Sequence, residues 1–371
     1  MFSRKFQILS IAISATLLTA CSSSAIKNFD PQVATPVSWQ EPAGNTVNQN
    51  SITTSLLDEI NDPQLRQLVE ETLTANSNLQ KTAINLQIQR LQQRQTDAGR
   101  LPTADIELGK SRMTQGGSAP INNEYKLGVN LSWEADVWGR LANASFAANA
   151  QTRAMELDYQ AARDSLAAQV IKAWIDITLR QQMIETEQSR IHSLLATEEI
   201  IKNRYLTGNG KLNDMEAARA SSAQASAKLS AMQQEQRDAY RNLAVLRGNL
   251  KTDTLPKPAV KLDIPAPPVW IPADVIANRP DLKSAYEKVR AANAEHAVAE
   301  KNLLPAFKLS STISQSRPHL DDLLSGAVVW NLLGNLTAPL FDGGHLKAAE
   351  RLQTCRPSKA TLPTRMLFSQ P

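Results

Sequence analysis

The chain has 371 residues, of which 42% are hydrophobic and only 5% aromatic, a length that could fill two ordinary domains. Few aromatic side chains and many Ala, Gln and Leu residues favour long helices over a thick globular core. The formal net charge is +4, but five basic residues lie near the two ends: Arg4, Lys5, Arg356, Lys359 and Arg365. The rest of the chain therefore has no basic excess, and we expect no nucleic-acid partner.

The first twenty residues are typical of an export signal. A basic start precedes an apolar run over 8–18 that is too short to span a bilayer as a helix. The run ends in Leu18-Thr19-Ala20-Cys21, which resembles the bacterial lipobox, in which the cysteine is diacylated and becomes the mature N-terminus. The resemblance implies a covalent lipid on Cys21 and, because Ser22 rather than an aspartate follows, an outer-membrane destination. A plain signal peptide with an accidental cysteine is the alternative.

A helix followed by a β-hairpin is predicted next. Helical periodicity begins at Asp62-Pro63 and continues to Arg100, because the proline of Leu101-Pro102 disfavours helical geometry just before it. A strand around Ile106 and Leu108 follows, and a glycine-containing segment over 114–124 turns the chain. The next apolar residues recur with a period of two: Tyr125, Leu127, Val129, Leu131 and Trp133. We therefore predict a hairpin over 103–135 with one apolar and one polar face.

A very long helix is predicted over 139–205, a stretch with no proline and one glycine at its first position. Its large apolar residues recur at threes and fours, as in a coiled coil, and such a helix would be roughly 100 Å long. Gly208-Asn209-Gly210 marks a turn, and an alanine-rich helix follows from Leu212 to about Leu246. Small side chains let helices approach closely, so we predict an antiparallel coiled-coil hairpin over 139–248.

The order of helix, β-hairpin and helix then occurs a second time. A helix begins near Arg279-Pro280 and ends at Leu304-Pro305, a hairpin is predicted over 306–339, and Phe341-Asp342-Gly343-Gly344 opens a new helix. An internal repeat is more specific than any short motif in this chain. The predicted organisation is a signal peptide, an extended segment, a first repeat, a proline-rich linker, an incomplete second repeat and a tail, over 1–20, 21–61, 62–250, 251–271, 272–353 and 354–371.

These features together resemble the TolC-type outer membrane factors, in particular their lipoprotein branch, the NodT family. Besides the lipobox, three segments carry the resemblance: 272–282, 339–344 and 136–140. The family has two arginines before the proline where this chain has Asn278-Arg279-Pro280. The resemblance implies a mainly α protein with a membrane β-barrel contribution. Two β-hairpins from each of three protomers form one twelve-stranded barrel, and long antiparallel coiled-coil helices continue across the periplasm.

The resemblance also implies a function and partners. By this resemblance we expect the chain to be the outer membrane channel subunit of a tripartite efflux system, a passive conduit for small molecules exported by an inner-membrane pump through a periplasmic adaptor. The other partners implied are outer-membrane lipid and two further copies in a homotrimer. The adaptor would meet the turn between the long helices at Tyr205, Gly208, Leu212 and Asp214; a plain turn with a helix cap is the alternative reading of these residues. No cofactor beyond the lipid on Cys21 is implied.

The C-terminal end departs from the repeat. Three prolines follow Gln353 where a helix of about sixty residues is expected from the first repeat. The second helical hairpin, and the gate residues that the family places there, would then be missing. We expect a frameshift or premature stop after about residue 353, and we expect a chain of this form to be unable to complete the channel.

No catalytic or metal site is predicted, so we do not expect an enzyme. The four histidines lack the spacing of a metal site: His192, His296, His319 and His345. Gly343-Gly344 has no lysine-serine pair after it, so a strand-to-helix bend explains it better than a phosphate loop. Asp321-Asp322 is predicted to lie in a solvated turn, and Trp133 and Trp330 suit either an interfacial aromatic belt or packing at a barrel rim.

The competing class is a lipid-anchored periplasmic coiled-coil protein, either structural or an adaptor. Adaptors also contain helical hairpins, but their β-regions flank a single hairpin. In this chain two strand hairpins are predicted, each followed by a new helix, and this pattern favours the conduit.

Overall fold

The computed structural model describes residues 62–113, 122–249, 255–256, 279–323, 325 and 327–355. The chain divides into two compact units. Among the described residues, the first unit takes 86–157 and 281–355, and the second takes 62–85, 158–249, 255–256 and 279–280. None of the described helices combines the length and apolar character that crossing a membrane requires.

Two helices stand where the sequence predicts one helix over 62–100. Helix α1 spans Pro63–Ala75 and α2 spans Ser77–Ala98, and Asn76 between them is extended, with φ −66° and ψ 119°. The Asn76 side-chain oxygen accepts from the Leu79 N–H at 3.0 Å, and its Nδ2 donates to the Leu246 carbonyl at 2.7 Å. A side chain that satisfies backbone groups in this way competes with helix continuation. The prediction of a single helix was therefore wrong at this residue.

The predicted long helical hairpin is present. Helix α3 spans Arg140–Leu206, 67 residues, and α4 spans Leu212–Arg247, 36 residues. Three side-chain pairs link the two helices: Arg180–Glu235, Glu187–Lys228 and Glu198–Ser222. Their numbers rise on one helix as they fall on the other, so the helices are antiparallel.

The hydrophobic core of the second unit lies where α1 meets α3 and α4. Its buried residues are Leu65, Leu68, Val69, Val170, Ile171, Trp174, Ile177, Leu243, Ala244 and Leu255. The α1 members recur at threes and fours, so one face of that helix is inward. Burying each large apolar side chain contributes about 1.5–3 kcal/mol.

The first unit contains one antiparallel sheet. Strands β1 Thr103–Met113, β2 Asn122–Ala135, β3 Ala306–Arg317 and β4 Val329–Thr337 lie in the order β1-β2-β3-β4. Both predicted hairpins are confirmed, and β2 pairs with β3 to join them. Helix α5, Pro280–Lys301, precedes the second hairpin, and helix α6, over 345–355, follows it.

Candidate membrane-facing sheet and partner-contact turn

One face of the sheet is apolar and bare. Ile106 lies opposite Val129, Val129 opposite Ile313, and Ile313 opposite Trp330, so one apolar row crosses all four strands. Ile106 is 79% exposed and Trp330 is 73% exposed. Because side chains alternate along a strand, every second residue from this row lies on the same face. These residues cover no core, so the face suits an apolar environment outside the protomer.

The apolar face extends over several rows. At the end with the hairpin loops, its last apolar row contains Leu108 and Leu127. At the end where the strands join the helices, its last row contains Phe307 and Leu336. The register places three rows between these two, so five mainly apolar rows follow one another, with Gln315 and Ser311 of β3 as their polar members.

The opposite face is polar. Asp105 lies opposite Asn130, Asn130 opposite Thr312, and Thr312 opposite Asn331. The Thr312 hydroxyl donates to the Asn130 side-chain oxygen at 3.1 Å, and Asn130 Nδ2 donates to Glu107 Oε2 at 3.2 Å. One face of the sheet therefore suits an apolar environment, and the other suits water.

Strands β1 and β4 are the two edges of this sheet. An edge strand presents unpaired N–H and C=O groups, which hydrocarbon cannot satisfy. A sheet with one apolar face can therefore enter a bilayer only if its edges pair with further strands.

Two bends of matching chemistry connect the hairpins to the helices that follow. Asp136 accepts from the Leu141 and Ala142 N–H groups at 2.9 and 2.7 Å. Asp342 accepts from the Gly344 and Leu346 N–H groups at 2.9 and 2.7 Å. These hydrogen bonds from backbone amides hold the pKa of the Asp342 carboxyl below its usual value.

Glycines occupy the positive-φ positions of both bends. Gly139 has φ 71°, Gly343 has φ 68° and Gly344 has φ 89°. An L side chain is strained in this region, which glycine tolerates. The predicted strand-to-helix bend at Gly343-Gly344 is thus the geometry that the chain adopts.

A cleft of about 220 Å³ lies beside the first bend. Several of its charged or polar groups already have partners in the junction. Arg140 Nη2 lies 2.6 Å from Glu134 Oε1, the Trp138 indole donates to the Pro305 carbonyl at 2.6 Å, and Lys301 Nζ is 3.5 Å from the Gly139 carbonyl. These contacts hold the strand-to-helix junction in place.

The turn between α3 and α4 contains the four residues predicted to meet an adaptor. Tyr205 lies in the last turn of α3, and its carbonyl accepts from the Gly208 N–H at 3.0 Å. Gly208 has φ 78°, and Leu212 and Asp214 lie in the first turn of α4. Leu212 is 50% exposed. The structure thus gathers the four residues at one turn, and their contact role stays a prediction.

Close backbone packing also defines this turn, at Gly210 of the predicted turn signal. A Cβ on Gly210 would lie 2.9 Å from the Tyr205 backbone nitrogen. Glycine is therefore required there for steric reasons, which the Asn-Gly turn signal indicates only in general terms.

The two tryptophans lie on the apolar face but not at its two borders. Trp133 and Trp330 are two rows apart, about 14 Å along the strands. The Trp133 indole donates to the Arg100 carbonyl at 3.0 Å. Apolar rows continue beyond both residues, so a belt at both interfaces is not formed by this pair.

His296 has acidic neighbours that its spacing in the sequence does not reveal. Its Nδ1 lies 3.8 Å from Glu300 Oε1 and its Nε2 lies 3.9 Å from Glu350 Oε1. The Thr354 hydroxyl is 3.0 Å from Nε2. His296, Glu300 and Glu350 each offer one ligand atom, and these atoms lie within 4.8 Å of one another, although exposed acidic groups are common without an ion.

Cys21, the predicted lipidation site, lies outside the described residues, as do the export signal, most of the linker and most of the tail. Two sets of residues in the described part were not predicted. The capping roles of Asp136 and Asp342 were missed, although both lie in the segments that carry the family resemblance. The basic residues on the apolar face, Lys110, Arg112 and Arg317, were also missed, because only the strand register brings them together.

Comparison with known proteins identifies relatives of this chain. The sequence profile of the family described as outer membrane efflux protein matches residues 68–249 and 271–360. The solvent efflux pump outer membrane protein SrpC of Pseudomonas putida is 26% identical over 333 residues, covering 85% of this chain and 71% of SrpC. The cation efflux system protein CusC of Escherichia coli is 26% identical over 298 residues, covering 77% of this chain and 63% of CusC.

A solved structure has the same fold. A crystal structure of CusC, described in terms of folding and transmembrane channel formation, matches with a TM-score of 0.79 at 24% identity. The match covers 89% of this chain and 79% of that chain. The chain spans between 61% and 73% of the length of the curated relatives that it matches.

Proposed function

Because this chain belongs to the outer membrane efflux protein family, we propose that it is one protomer of a trimeric outer-membrane channel through which exported small molecules pass passively. The family places it in the outer membrane as a component of an efflux system. The observation that carries the proposal is the sheet with one apolar face, one polar face and two open edges. The proposal includes no catalytic step.

The open edges of the four-stranded sheet support an oligomer, because only further strands can close the sheet into a barrel. One chain contributes four strands, whereas closed outer-membrane barrels have at least eight. Pairing β4 of one protomer with β1 of the next satisfies both edges, and three protomers give the twelve strands that the family resemblance implies. The apolar face would then contact lipid and the polar face would line the lumen.

The height of the apolar face fits this placement. Its five rows extend over about 27 Å along the strands, and the apolar band of an outer-membrane barrel is about 25 Å tall. A strand tilt of about 35–45° reduces this extent to about 19–22 Å along the membrane normal, and the widths of the side chains in the two end rows add to it. The height of the face is therefore close to that of the apolar band.

Exposed apolar stripes on the helices also support association. Ile84, Ile88 and Leu91 on α2 are 56%, 48% and 61% exposed, at spacings of four and three. Leu179 and Met183 on α3 are 49% and 57% exposed, four residues apart. Such stripes on single faces are typical of helices that pack against a partner.

Two further parts of the proposal concern attachment and partners. A diacylated Cys21 would anchor the chain in the inner leaflet of the outer membrane, adding to the attachment by the barrel. The α3–α4 turn would contact a periplasmic adaptor that connects to an inner-membrane pump. The competing idea, that the chain is itself an adaptor, loses support because both β-hairpins join in one sheet.

The contact at the turn can be tested by photo-crosslinking in cells. A photoreactive residue at Leu212 should crosslink to the periplasmic adaptor, identified by mass spectrometry. The same residue at Leu195, which lies on α3 and is 52% exposed, serves as the control. Adaptor adducts of equal yield at both positions would contradict a role of the turn.

The barrel is tested by adding one charge to either face of β2. Val129→Arg places a guanidinium on the apolar face, at a cost of about 2–4 kcal/mol near the bilayer midplane. Asn130→Arg, the adjacent residue on the polar face, is the matched control. We expect Val129→Arg to abolish heat-modifiable migration and recovery in the outer-membrane fraction, and Asn130→Arg to retain both.

Planar-bilayer recordings complete the test. With a second helical hairpin copied from the first repeat added to the chain, Asn130→Arg should conduct with a shift towards anion selectivity, because the added cation would line the lumen. The chain without this addition is recorded beside it. Equal loss of assembly in both variants, or release of the unmodified chain by carbonate washing, would contradict the proposal.

A further inference from the structure

Charged residues are divided between the two faces of the sheet in an uneven way. On the apolar face, the only charged residues of the four described strands are basic: Lys110, Arg112 and Arg317. The polar face carries both signs: Asp105, Glu107, Glu124, Lys126, Glu134 and Lys308. The apolar face thus has positive charge and no carboxylate of its own.

The three basic residues are gathered at one end of the sheet. Lys110 and Arg317 are both register partners of Tyr125, from the strands on its two sides. Lys110 Nζ lies 5.0 Å from the centroid of the Tyr125 ring. Arg112 is one row farther along, opposite Asn123. Lys110 and Arg317 therefore lie on either side of one aromatic ring, and Arg112 extends the group by one row. We call these three basic residues the cationic row.

Within the described part of the chain, no carboxylate forms an ion pair with the cationic row. Arg317 Nη1 donates to the Ser316 carbonyl at 3.1 Å. Glu124 is the nearest acidic residue along β2, but it lies on the polar face. There it accepts hydrogen bonds from the hydroxyl groups of Ser111 and Ser316. The positive charge of the row is therefore available to an anion on the apolar side.

The cationic row follows directly after the last apolar row. Leu108 and Leu127 lie two residues from Lys110 and Tyr125, about 7 Å along the strands. Long basic side chains at such a border keep their stems in apolar surroundings and extend their charges to the polar layer. The row lies at the end with the hairpin loops, opposite the end where the strands join the helices.

We propose that Lys110, Arg112 and Arg317, arranged around Tyr125, bind the phosphates of lipid A in the outer leaflet of the outer membrane. The inference rests on the proposed function, which places the apolar face in lipid. Because the strands join the helices at the periplasmic end, the hairpin loops would lie at the outer end. Arginine and lysine bind phosphate through charge-assisted hydrogen bonds. Lipid A, the phosphorylated anchor of lipopolysaccharide, belongs to the leaflet at that end of the barrel, and its phosphates meet the row at the border of the hydrocarbon.

The test compares two double variants with the same change in charge. Lys110→Gln/Arg317→Gln removes two cations from the apolar face, and Lys126→Gln/Lys308→Gln removes two from the polar face. Each purified protein in detergent is titrated with lipid A, with phosphatidylglycerol and with phosphatidylethanolamine, and bound lipid is counted by native mass spectrometry. Heat-modifiable trimer and bilayer conductance are recorded for every protein.

We expect lipid A to bind the unmodified chain more tightly than either phospholipid. The apolar-face variant should lose affinity for lipid A by about 25-fold, from about fivefold for each cation at a membrane surface. The polar-face variant should change little. Equal weakening in both variants would overturn the inference, as would phosphatidylglycerol binding as tightly as lipid A.

Trimer formation and conductance show whether a failure concerns this inference alone or the proposed function as well. Trimers that conduct but retain no lipid A would overturn only this inference. A chain that forms neither trimers nor channels would overturn the proposed function, and this inference with it.

Discussion

The indole Nε1 of Trp174 donates a hydrogen bond to Asp62 Oδ2 at 2.9 Å, across 112 residues of chain. The other carboxylate oxygen of Asp62 accepts from the Gln64 and Leu65 N–H groups at 2.9 and 3.2 Å and so caps α1. Trp174 is fully buried in the core of the second unit. One carboxylate therefore fixes the start of a helix and satisfies a buried indole.

Replacing Asp62 should destabilise α1 through both contacts. Asp62→Ala removes the cap, about 1 kcal/mol, and leaves a buried N–H unsatisfied, about 1–3 kcal/mol. We expect a total loss of about 2–4 kcal/mol, measured by hydrogen exchange of the α1 amides. Asp62→Asn can keep a cap oxygen but not both acceptors, so its effect should be intermediate. Unchanged exchange in Asp62→Ala would rule out this role.

Gly248 and Gly343 offer a matched pair for separating backbone strain from steric overlap. Both have positive φ, 74° and 68°. A Cβ on Gly248 would lie 2.6 Å from the Ala75 carbonyl oxygen, whereas a Cβ on Gly343 would meet nothing within 4 Å. Gly343→Ala should cost about 1 kcal/mol from φ alone, and Gly248→Ala about 3 kcal/mol, because α1 must also shift.

Denaturant unfolding and hydrogen exchange at the end of α1 provide the measurement for this pair. Exchange near Ala75 should accelerate in Gly248→Ala only. If both variants lost the same free energy of unfolding, the close approach of Gly248 to α1 would have no energetic role.

The strands could be predicted from the sequence because one face of the sheet is mainly apolar and the other mainly polar, so the two kinds of side chain alternate along each strand. The alternation of Val129 with Asn130 appears directly as a period of two, and the register then places each beside residues of its own kind. The break at Asn76 was not predicted. Its side chain accepts locally from the Leu79 N–H, but its second hydrogen bond, to the Leu246 carbonyl 170 residues away, exists only in the fold. The cationic row was missed for a similar reason, because Lys110 and Arg317 meet Tyr125 only through pairing.

The repeat and the glycines of its bends were visible in the sequence, but the aspartates that cap the following helices were not. The glycines at 139 and 343 indicate a turn, whereas the roles of Asp136 and Asp342 depend on which backbone N–H groups lie within reach. Aspartates that cap helices occur in many sequence contexts. Only the geometry of the first helical turn therefore shows which aspartate is a cap. The contact residues at the α3–α4 turn came from family resemblance alone.

Loss of the Asp136 cap should loosen the start of α3. Asp136→Ala removes acceptors for the Leu141 and Ala142 N–H groups, and we expect a local loss of about 1 kcal/mol, seen as faster exchange of these two amides. Asp164→Ala is the control, because Asp164 accepts from the Gln160 side chain on the exposed surface of α3. Its effect should stay within about 0.5 kcal/mol. Similar exchange of Leu141 and Ala142 in both variants would argue against the cap.

Glu187 should make the α3–α4 pairing sensitive to acid. Its side chain is 7% exposed, and Arg190 Nη2 and Nε lie 2.5 and 3.1 Å from its two oxygens, with Lys228 Nζ of α4 at 3.6 Å. Hydrogen bonds from Arg190, with help from Lys228, hold the pKa of the Glu187 carboxyl below its usual value. A lowered folded-state pKa means that the stabilisation is complete above the unfolded-state value near 4.5 and is lost as pH falls through the folded-state value.

The measurement for Glu187 is the thermal unfolding midpoint of the helices, followed from pH 7 to pH 3 by circular dichroism. The unfolding midpoint of the unmodified chain should fall as the pH drops below the unfolded-state pKa of Glu187, near 4.5. Glu187→Gln should have a lower midpoint at pH 7 and a flatter pH profile. Glu199→Gln, which removes an exposed partner of Lys202 at 3.3 Å on the same helix, should leave the profile unchanged, because exposed ion pairs contribute little. A profile for Glu187→Gln as steep as that of the unmodified chain would show that other carboxylates produce the acid sensitivity.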